Sequence, residues 1–179
     1  MALPGEPEPV KLFVAILWAD AEALHLALRQ MDELWGEIDF KGADHAFDIT
    51  DYYQSEMGST LFRRIVSFQQ LVSPETLVEV KRACNRLEEN LLGPTGRRVN
   101  LDSGYLDHNK IVLASAKGLG QKIYVGQGIY ADLVARYRDG QYQPFEWTFP
   151  DFKDGRYDQE LGEIRRMYLS ARALRKGTK

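Results

Sequence analysis

The sequence predicts an α+β fold, with a ferredoxin-like βαββαβ core whose antiparallel sheet is extended by a C-terminal β-meander and closed by a terminal helix. Three observations lead to this prediction. Apolar strands alternate with two amphipathic helices in the first half, short strands with turn signals crowd residues 110–144, and an amphipathic segment follows. We expect a disordered arm over residues 1–9 and one domain over residues 10–176.

The first half of the chain supplies a strand, a helix and two more strands. Residues 11–18 are continuously apolar, which is typical of a central strand buried on both faces. Asp20 caps a helix whose apolar residues recur at helical spacing as far as Gly36. Residues 37–50 and 60–70 read as two further strands, of which the second is the clearer.

A second helix and the meander follow. Ser73-Pro74 is a helix start, and the apolar stripe of this helix includes Cys84. Ser103-Gly104 resembles a turn. Strands are predicted over residues 110–116, 122–126 and 129–138. In the last of these, Ile129, Ala131, Leu133, Ala135 and Tyr137 alternate with more polar neighbours, which predicts one solvent-facing side.

Turn signals and a last helix complete the pattern. Asp139-Gly140 predicts a type I′ hairpin, and Gly126-Gln127-Gly128 predicts a tight bend or bulge between two short strands. The terminal helix is expected from about Tyr157, and it leads into a basic tail over residues 173–179.

Composition narrows the functional classes. The chain has 179 residues, a formal net charge of −3 and a single cysteine. The acidic balance does not favour nucleic acid as a partner, and one cysteine allows no internal disulfide. The N-terminus lacks the pattern of a signal peptide, and no apolar run is long enough to cross a bilayer. We therefore expect a cytoplasmic protein that is not attached to a membrane.

Four segments carry a family resemblance: residues 11–17, 47–58, 97–106 and 122–133. Together they resemble the uncharacterised bacterial family catalogued as domain of unknown function 4416, over a span from about Pro9 to about Tyr168. The resemblance implies no activity, because the family has none established. Some of its members carry an automatic GTP-binding label, but this chain has no phosphate-binding loop of the form G-x-x-x-x-G-K-[ST].

Polar and aromatic residues gather at the ends of the predicted strands. Arg63 and Arg64 interrupt an apolar strand, so one of them must be buried and paired, with Asp48, Asp51 or Asp102 as its partner. Arginine can also grip phosphate or carboxylate. The predicted ligand-binding residues are Asp48, Arg63, Arg64, Arg98, Asn100, Asp102, Tyr105, Lys110, Tyr124 and Tyr130.

Three functions remain open. The leading hypothesis is a protein that binds a small anionic, phosphate-containing ligand. The second is a hydrolase or transferase that uses a metal or acid–base chemistry, with Asp51 and Asp102 as candidate catalytic residues. The third is a homodimeric interaction protein, for which the aromatic loop Phe145 to Phe152 is the supporting feature. No motif identifies a cofactor or a metal site.

Overall fold

The computed structural model describes residues 3–177. Met1 and Ala2 of the predicted arm, and Thr178 and Lys179 of the basic tail, lie outside the described residues. Residues 3–9 form neither helix nor strand. Glu8 pairs with Arg172 on the last helix at 3.0 Å between Oε2 and Nε. Disorder of the arm stays a prediction.

Residues 3–177 form an α+β structure with nine strands and five α-helices. The strands are β1 (Val10–Trp18), β2 (Ile38–Lys41), β3 (His45–Ala46), β4 (Phe62–Val72), β5 (Val99–Leu106), β6 (Lys110–Ser115), β7 (Ile123–Gly126), β8 (Ile129–Arg138) and β9 (Gln141–Pro144). The helices are α1 (Ala21–Trp35), α2 (Gln54–Met57), α3 (Leu77–Asn90), α4 (Pro150–Lys153) and α5 (Asp158–Gly177). The short helices α2 and α4 have no counterpart in the sequence prediction.

All nine strands belong to one antiparallel sheet. Its order is β2-β4-β1-β5-β6-β8-β7, with β3 added beside β4 and β9 beside β8. The predicted hairpin at Asp139-Gly140 is present, because Arg138 pairs with Gln141 and both turn residues have positive φ. A tight turn also joins β7 to β8, where Gly126 pairs with Ile129.

The central strand β1 is buried on both sides, as its apolar run predicts. Leu12, Val14 and Ile16 share a core with residues of α1 and α3. Phe13 and Ala15 point the other way, into a core that includes residues of α5. The sheet is therefore covered by α1 and α3 on one face and by α5 on the opposite face.

Both predicted helix starts are formed. Asp20 accepts hydrogen bonds from the backbone N–H groups of Glu22 and Ala23. These bonds, together with the guanidinium of Arg98, lower the pKa of Asp20. At the second start, the Ser73 hydroxyl accepts from the N–H of Glu75, and a 3-10 turn leads into α3.

Two predictions about strands are wrong. Residues 37–50 form β2 and β3 rather than one strand, because Phe47 leaves the sheet and packs beside Leu17 and Leu61. In β8, Asp132 and Val134 are buried while Leu133 is exposed. Ile111 of β6 pairs with Ala135 of β8, but the next residue, Val112, pairs with Leu133, so β8 carries a bulge there. The bulge shifts the alternation of buried and exposed side chains, and the predicted solvent-facing side therefore does not continue along the whole of β8.

Gly104 lies within β5, and the predicted turn at Ser103-Gly104 is therefore wrong. The glycine is present because β6 approaches closely at this point. A Cβ atom on Gly104 would lie 2.4 Å from the carbonyl oxygen of Val112. A glycine can therefore indicate the close approach of another backbone within a sheet, and not only a turn.

Candidate functional site

The sheet divides between β5 and β6. These strands pair only through residues 104–106 and 111–113, whereas β5 pairs with β1 along its whole length. From Val99 to Ser103, β5 thus has a strand on one side only. The two strands diverge beyond Gly104, and a cleft opens between them.

Side chains of α3 complete the unpaired part of β5. Glu88 accepts a hydrogen bond from the N–H of Leu101 at 2.8 Å, and Lys81 donates to its carbonyl oxygen at 2.9 Å. Lys81 is buried, and burial raises the pKa of Glu88. An interior strand edge would otherwise leave backbone groups without partners, so these two charged side chains have a structural reason to be here.

The first part of the cleft, which we call the basic chamber, has a volume of about 280 Å3. Four cationic side chains line it, Lys81, Arg97, Lys117 and Lys122, together with the carboxylates of Glu88, Asp102 and Asp132. Lys117 is exposed, lies 4.9 Å from the ring centre of Tyr52 and pairs with no carboxylate of residues 3–177. Lys122 donates to the Ser115 hydroxyl at 3.0 Å.

Asn100 lines the basic chamber and carries a buried hydrogen-bond donor. Its Oδ1 accepts from the guanidinium of Arg97 at 2.8 Å, which fixes Nδ2 as the other end of the amide. Nδ2 is buried and has no partner among residues 3–177, and the whole residue is 5% exposed. A buried donor without an acceptor is unfavourable, and this one belongs to a residue that lines the basic chamber.

The second part of the cleft, the aromatic chamber, has a volume of about 300 Å3. Its rings are Phe47, Tyr52, Tyr53 and Phe149, and it shares Tyr52, Tyr53, Asp102, Lys117 and Phe149 with the basic chamber. Burial and the nearby charge of Asp102 raise the pKa of Tyr53 to about 12, so its hydroxyl stays protonated at neutral pH. The two chambers are therefore neighbouring parts of one cleft.

A buried arginine supports the wall between them. Arg63 is 4% exposed and pairs with Asp102 and Asp151, each at 3.1 Å. Its guanidinium lies 4.8 Å from the ring centre of Phe47. Burial alone would lower the pKa of Arg63, but the two neighbouring carboxylates raise it by more, so the pKa lies above the ordinary value for arginine. Tyr157 donates to Asp151 at 3.1 Å, which completes the buried network.

The segment over residues 47–61, which we call the cover, supplies Phe47, Tyr52 and Tyr53 to the cleft, and Arg97 is one of the residues that hold it in place. Glu56 on α2 accepts from Nε of Arg97 at 2.6 Å, and this bond lowers the pKa of Glu56. Arg97 also lies 5.5 Å from the ring centre of Tyr53. Arg97 thus links the cover to the basic chamber.

The structure brings Arg63, Asn100 and Asp102 of the predicted ligand-binding residues together in the cleft. The prediction that Arg63 or Arg64 is buried and paired with Asp48, Asp51 or Asp102 is confirmed by the pair of Arg63 and Asp102. Arg64 instead pairs with Asp44. For the second hypothesis, Asp51 and Asp102 line different cavities, so the two candidate catalytic residues are not brought into one site.

The other predicted ligand-binding residues lie outside both chambers. Arg98 pairs with Asp20 and Glu22 at the start of α1, and Lys110 pairs with Asp107 at 2.5 Å. Tyr105 packs on the core beside Leu77 and Val78. The rings of Tyr124 and Tyr130 contact each other on the β7–β8 hairpin, and the exposed Asp48 lies 3.3 Å from a guanidinium nitrogen of Arg156.

Several cleft residues were not predicted from the sequence: Tyr52, Tyr53, Lys81, Glu88, Arg97, Lys117, Lys122 and Phe149. Tyr52 and Tyr53 belong to one of the four resemblance segments, and this was the available signal. Lys81 and Glu88 look like solvated positions on an amphipathic helix. Only the tertiary structure shows that they turn towards β5.

Three further findings concern metal ligands, membrane-spanning helices and the single cysteine. Among the side chains that the structure describes, no three of His, Cys, Asp or Glu converge as a metal site would require. None of the helices formed by residues 3–177 combines the length and apolarity needed to cross a membrane. Cys84 is a free, buried thiol whose pKa is raised to about 12 by burial.

Comparisons with known proteins give one match. A family model described as "Domain of unknown function (DUF4416)" matches residues 8–168, which agrees with the resemblance of the four sequence segments. Neither the curated proteins nor the solved structures include a match to this chain.

Proposed function

The chain belongs to the DUF4416 family, whose description assigns no activity, and we propose that it binds a small anionic ligand in the cleft between β5 and β6. The observation that carries the proposal is the Nδ2 donor of Asn100, buried without an acceptor in a chamber that also contains Lys117. A phosphate or carboxylate oxygen would accept from Nδ2 and pair with the ammonium group of Lys117.

A panel of inorganic phosphate, pyrophosphate and simple carboxylates tests this proposal by thermal shift at low salt. A ligand present at about 100 times its Kd stabilises by about 2.7 kcal/mol, which corresponds to roughly 5–10 °C for a domain of this size. We expect Lys117→Ala to weaken binding about tenfold or more, since a charge-assisted contact is lost. Arg64→Ala is the matched control, because it removes an arginine away from the cleft.

Two results would contradict the proposal. One is the absence of any shift across the panel with the wild-type protein. The other is a shift that survives Lys117→Ala but disappears in Arg98→Ala or Lys110→Ala, which would place the anion at residues outside the cleft.

A second candidate function is homodimerisation through β7. This strand forms one edge of the sheet, and Ile123, Tyr124 and Val125 in it are all exposed. An edge strand with apolar side chains and free backbone groups favours pairing with another strand, and a second copy offers the same strand. Light scattering over a concentration series should give a dimer mass that Ile123→Lys converts to a monomer mass. A monomer mass throughout would refute this candidate.

We also propose the finer fold assignment and the location. The order β2-β4-β1-β5, with α1 and α3 on one face, supports a ferredoxin-like βαββαβ unit, and the strands from β6 onward would be the extension. A cytoplasmic location is supported by the single buried cysteine, which forms no disulfide. Fractionation of the cells that produce the protein would test the location.

A further inference from the structure

The two chambers of the cleft differ in the chemistry that they offer. The aromatic chamber is lined by four rings, and Tyr52 and Phe149 remain 58% and 48% exposed although they line a cavity. Large exposed rings at the mouth of a cavity can stack on a planar ring of a ligand. Many proteins hold nucleic-acid bases by stacking them on aromatic side chains in this way. The basic chamber shares three of these rings and adds the cations Lys81, Arg97 and Lys122 and the amide of Asn100, beside the carboxylates of Glu88 and Asp132.

Asp102 stands at the junction, because it lines both chambers. Its Oδ2 accepts from Arg63, and its side chain is 29% exposed, so the carboxylate still faces the cleft. A carboxylate only accepts hydrogen bonds and repels an anion. The part of the ligand beside Asp102 must therefore donate, and sugar hydroxyls are the donors that carboxylates bind in many nucleotide sites.

The volumes agree with a ligand that occupies both chambers. Ligand pockets generally measure about 300–1,000 Å3. The aromatic chamber, at about 300 Å3, lies at the lower end of that range, and the basic chamber, at about 280 Å3, lies just below it. Either chamber alone has room for one part of a metabolite, and the lining residues that they share make the pair continuous.

From these observations we infer that the cleft takes a nucleoside 5′-monophosphate. The base would stack in the aromatic chamber, the ribose hydroxyls would donate to Asp102, and the phosphate would lie in the basic chamber beside Asn100 and Lys117. The rings, the carboxylate and the ammonium group that these three parts need all line the one cleft. This inference rests on the proposed function, since it places the anion in the same chamber.

Calorimetry on the full chain tests the inference with defined probes. These are the four common ribonucleoside 5′-monophosphates, their 2′-deoxy counterparts, ribose 5-phosphate and inorganic phosphate. We expect at least one ribonucleotide to bind about tenfold or more tightly than ribose 5-phosphate, because only the nucleotide stacks. The same nucleotide should bind more tightly than its 2′-deoxy form.

Variants assign each part of the ligand to its part of the cleft. Phe149→Ala, or Phe149→Leu if the first variant fails to fold, should lower nucleotide affinity towards that of ribose 5-phosphate and leave the latter unchanged. Lys117→Ala should weaken both probes. Asp102→Asn should remove the preference for ribose over deoxyribose, and Asp44→Asn, outside the cleft, is its control. Circular dichroism checks that each variant is folded.

The outcomes separate the inference from the proposed function. If ribose 5-phosphate binds as tightly as every nucleotide, the inference is overturned and anion binding stands. The inference is also overturned if Asp102→Asn keeps the preference for ribose. If no probe and no anion of the panel binds, both proposals fail.

Discussion

Gly104 offers the sharpest test of the divided sheet, through the substitution Gly104→Ala. The new Cβ atom would lie 2.4 Å from the Val112 carbonyl oxygen and 2.8 Å from Cδ2 of Leu113, whereas real Cβ atoms essentially never approach closer than 3.0 Å. The obstacle is partly backbone, so β5 and β6 must move apart. Overpacking of this kind costs about 1–3 kcal/mol, and the stiffer unfolded chain returns about 0.4–1 kcal/mol.

We therefore expect a net loss of about 1–2 kcal/mol, which is roughly 2–8 °C in Tm for a chain of this length. Urea unfolding measures the free energy and should show a lower midpoint with an unchanged m value. Gly162→Ala is the matched control, since it lies in α5 with open space around its Cβ position and should stabilise the helix by up to about 1 kcal/mol. If Gly104→Ala stays within about 0.5 kcal/mol of wild type, the close approach of β6 is refuted.

Three further predictions concern charge and burial. Arg63→Ala should lower the free energy of unfolding by about 3–5 kcal/mol, because the carboxylate of Asp151 stays buried without its cationic partner. The neighbouring Arg64→Ala should lower it by about 1 kcal/mol or less in the same urea titration. Equal losses in the two variants would contradict the buried network. The pKa of Asp20 is lowered in the folded protein, so its ionised carboxylate stabilises the fold above the unfolded pKa of about 3.9, and this stabilisation is lost as the pH falls through the folded pKa. The difference in the free energy of unfolding between wild type and Asp20→Asn should therefore narrow from about pH 5 downwards. A difference that does not change with pH would be evidence against the cap. Cys84 should resist a thiol reagent at about pH 8 until urea unfolds the protein, because burial raises its pKa to about 12; rapid labelling of the folded chain would show that the thiol is accessible.

Local signals predicted the elements that depend on local chemistry. Asp20 and Ser73 start helices because their side chains accept nearby backbone N–H groups, and Asp139-Gly140 turns because both residues adopt positive φ. The pairing of Arg63 with Asp102 was predictable for a different reason. A charge within a buried strand needs a partner, and few carboxylates lay at neighbouring strand ends.

The features that frame the cleft depend on contacts between distant segments. Gly104 has the sequence neighbours of a turn, and only the carbonyl of Val112 explains why glycine is needed in a strand. Lys81 and Glu88 sit on an amphipathic helix, and nothing in their spacing indicates that they complete the hydrogen bonds of Leu101. The bulge in β8 likewise follows from its register with β6.

The short junction between β5 and β6 has a consequence for how the molecule opens. Strands β1 to β5 and strands β6 to β9 meet through only three residue pairs, so the backbone hydrogen bonds that join these two halves are few compared with those within each half. Native proteins open in cooperative units, and these two halves share one apolar core, in which Phe13 and Ile65 pack with Ile111 and Val134. Opening at the junction would break this shared core and the contacts of α3 and α5, which pack against both halves, so side-chain packing rather than strand pairing holds the halves together beside the cleft.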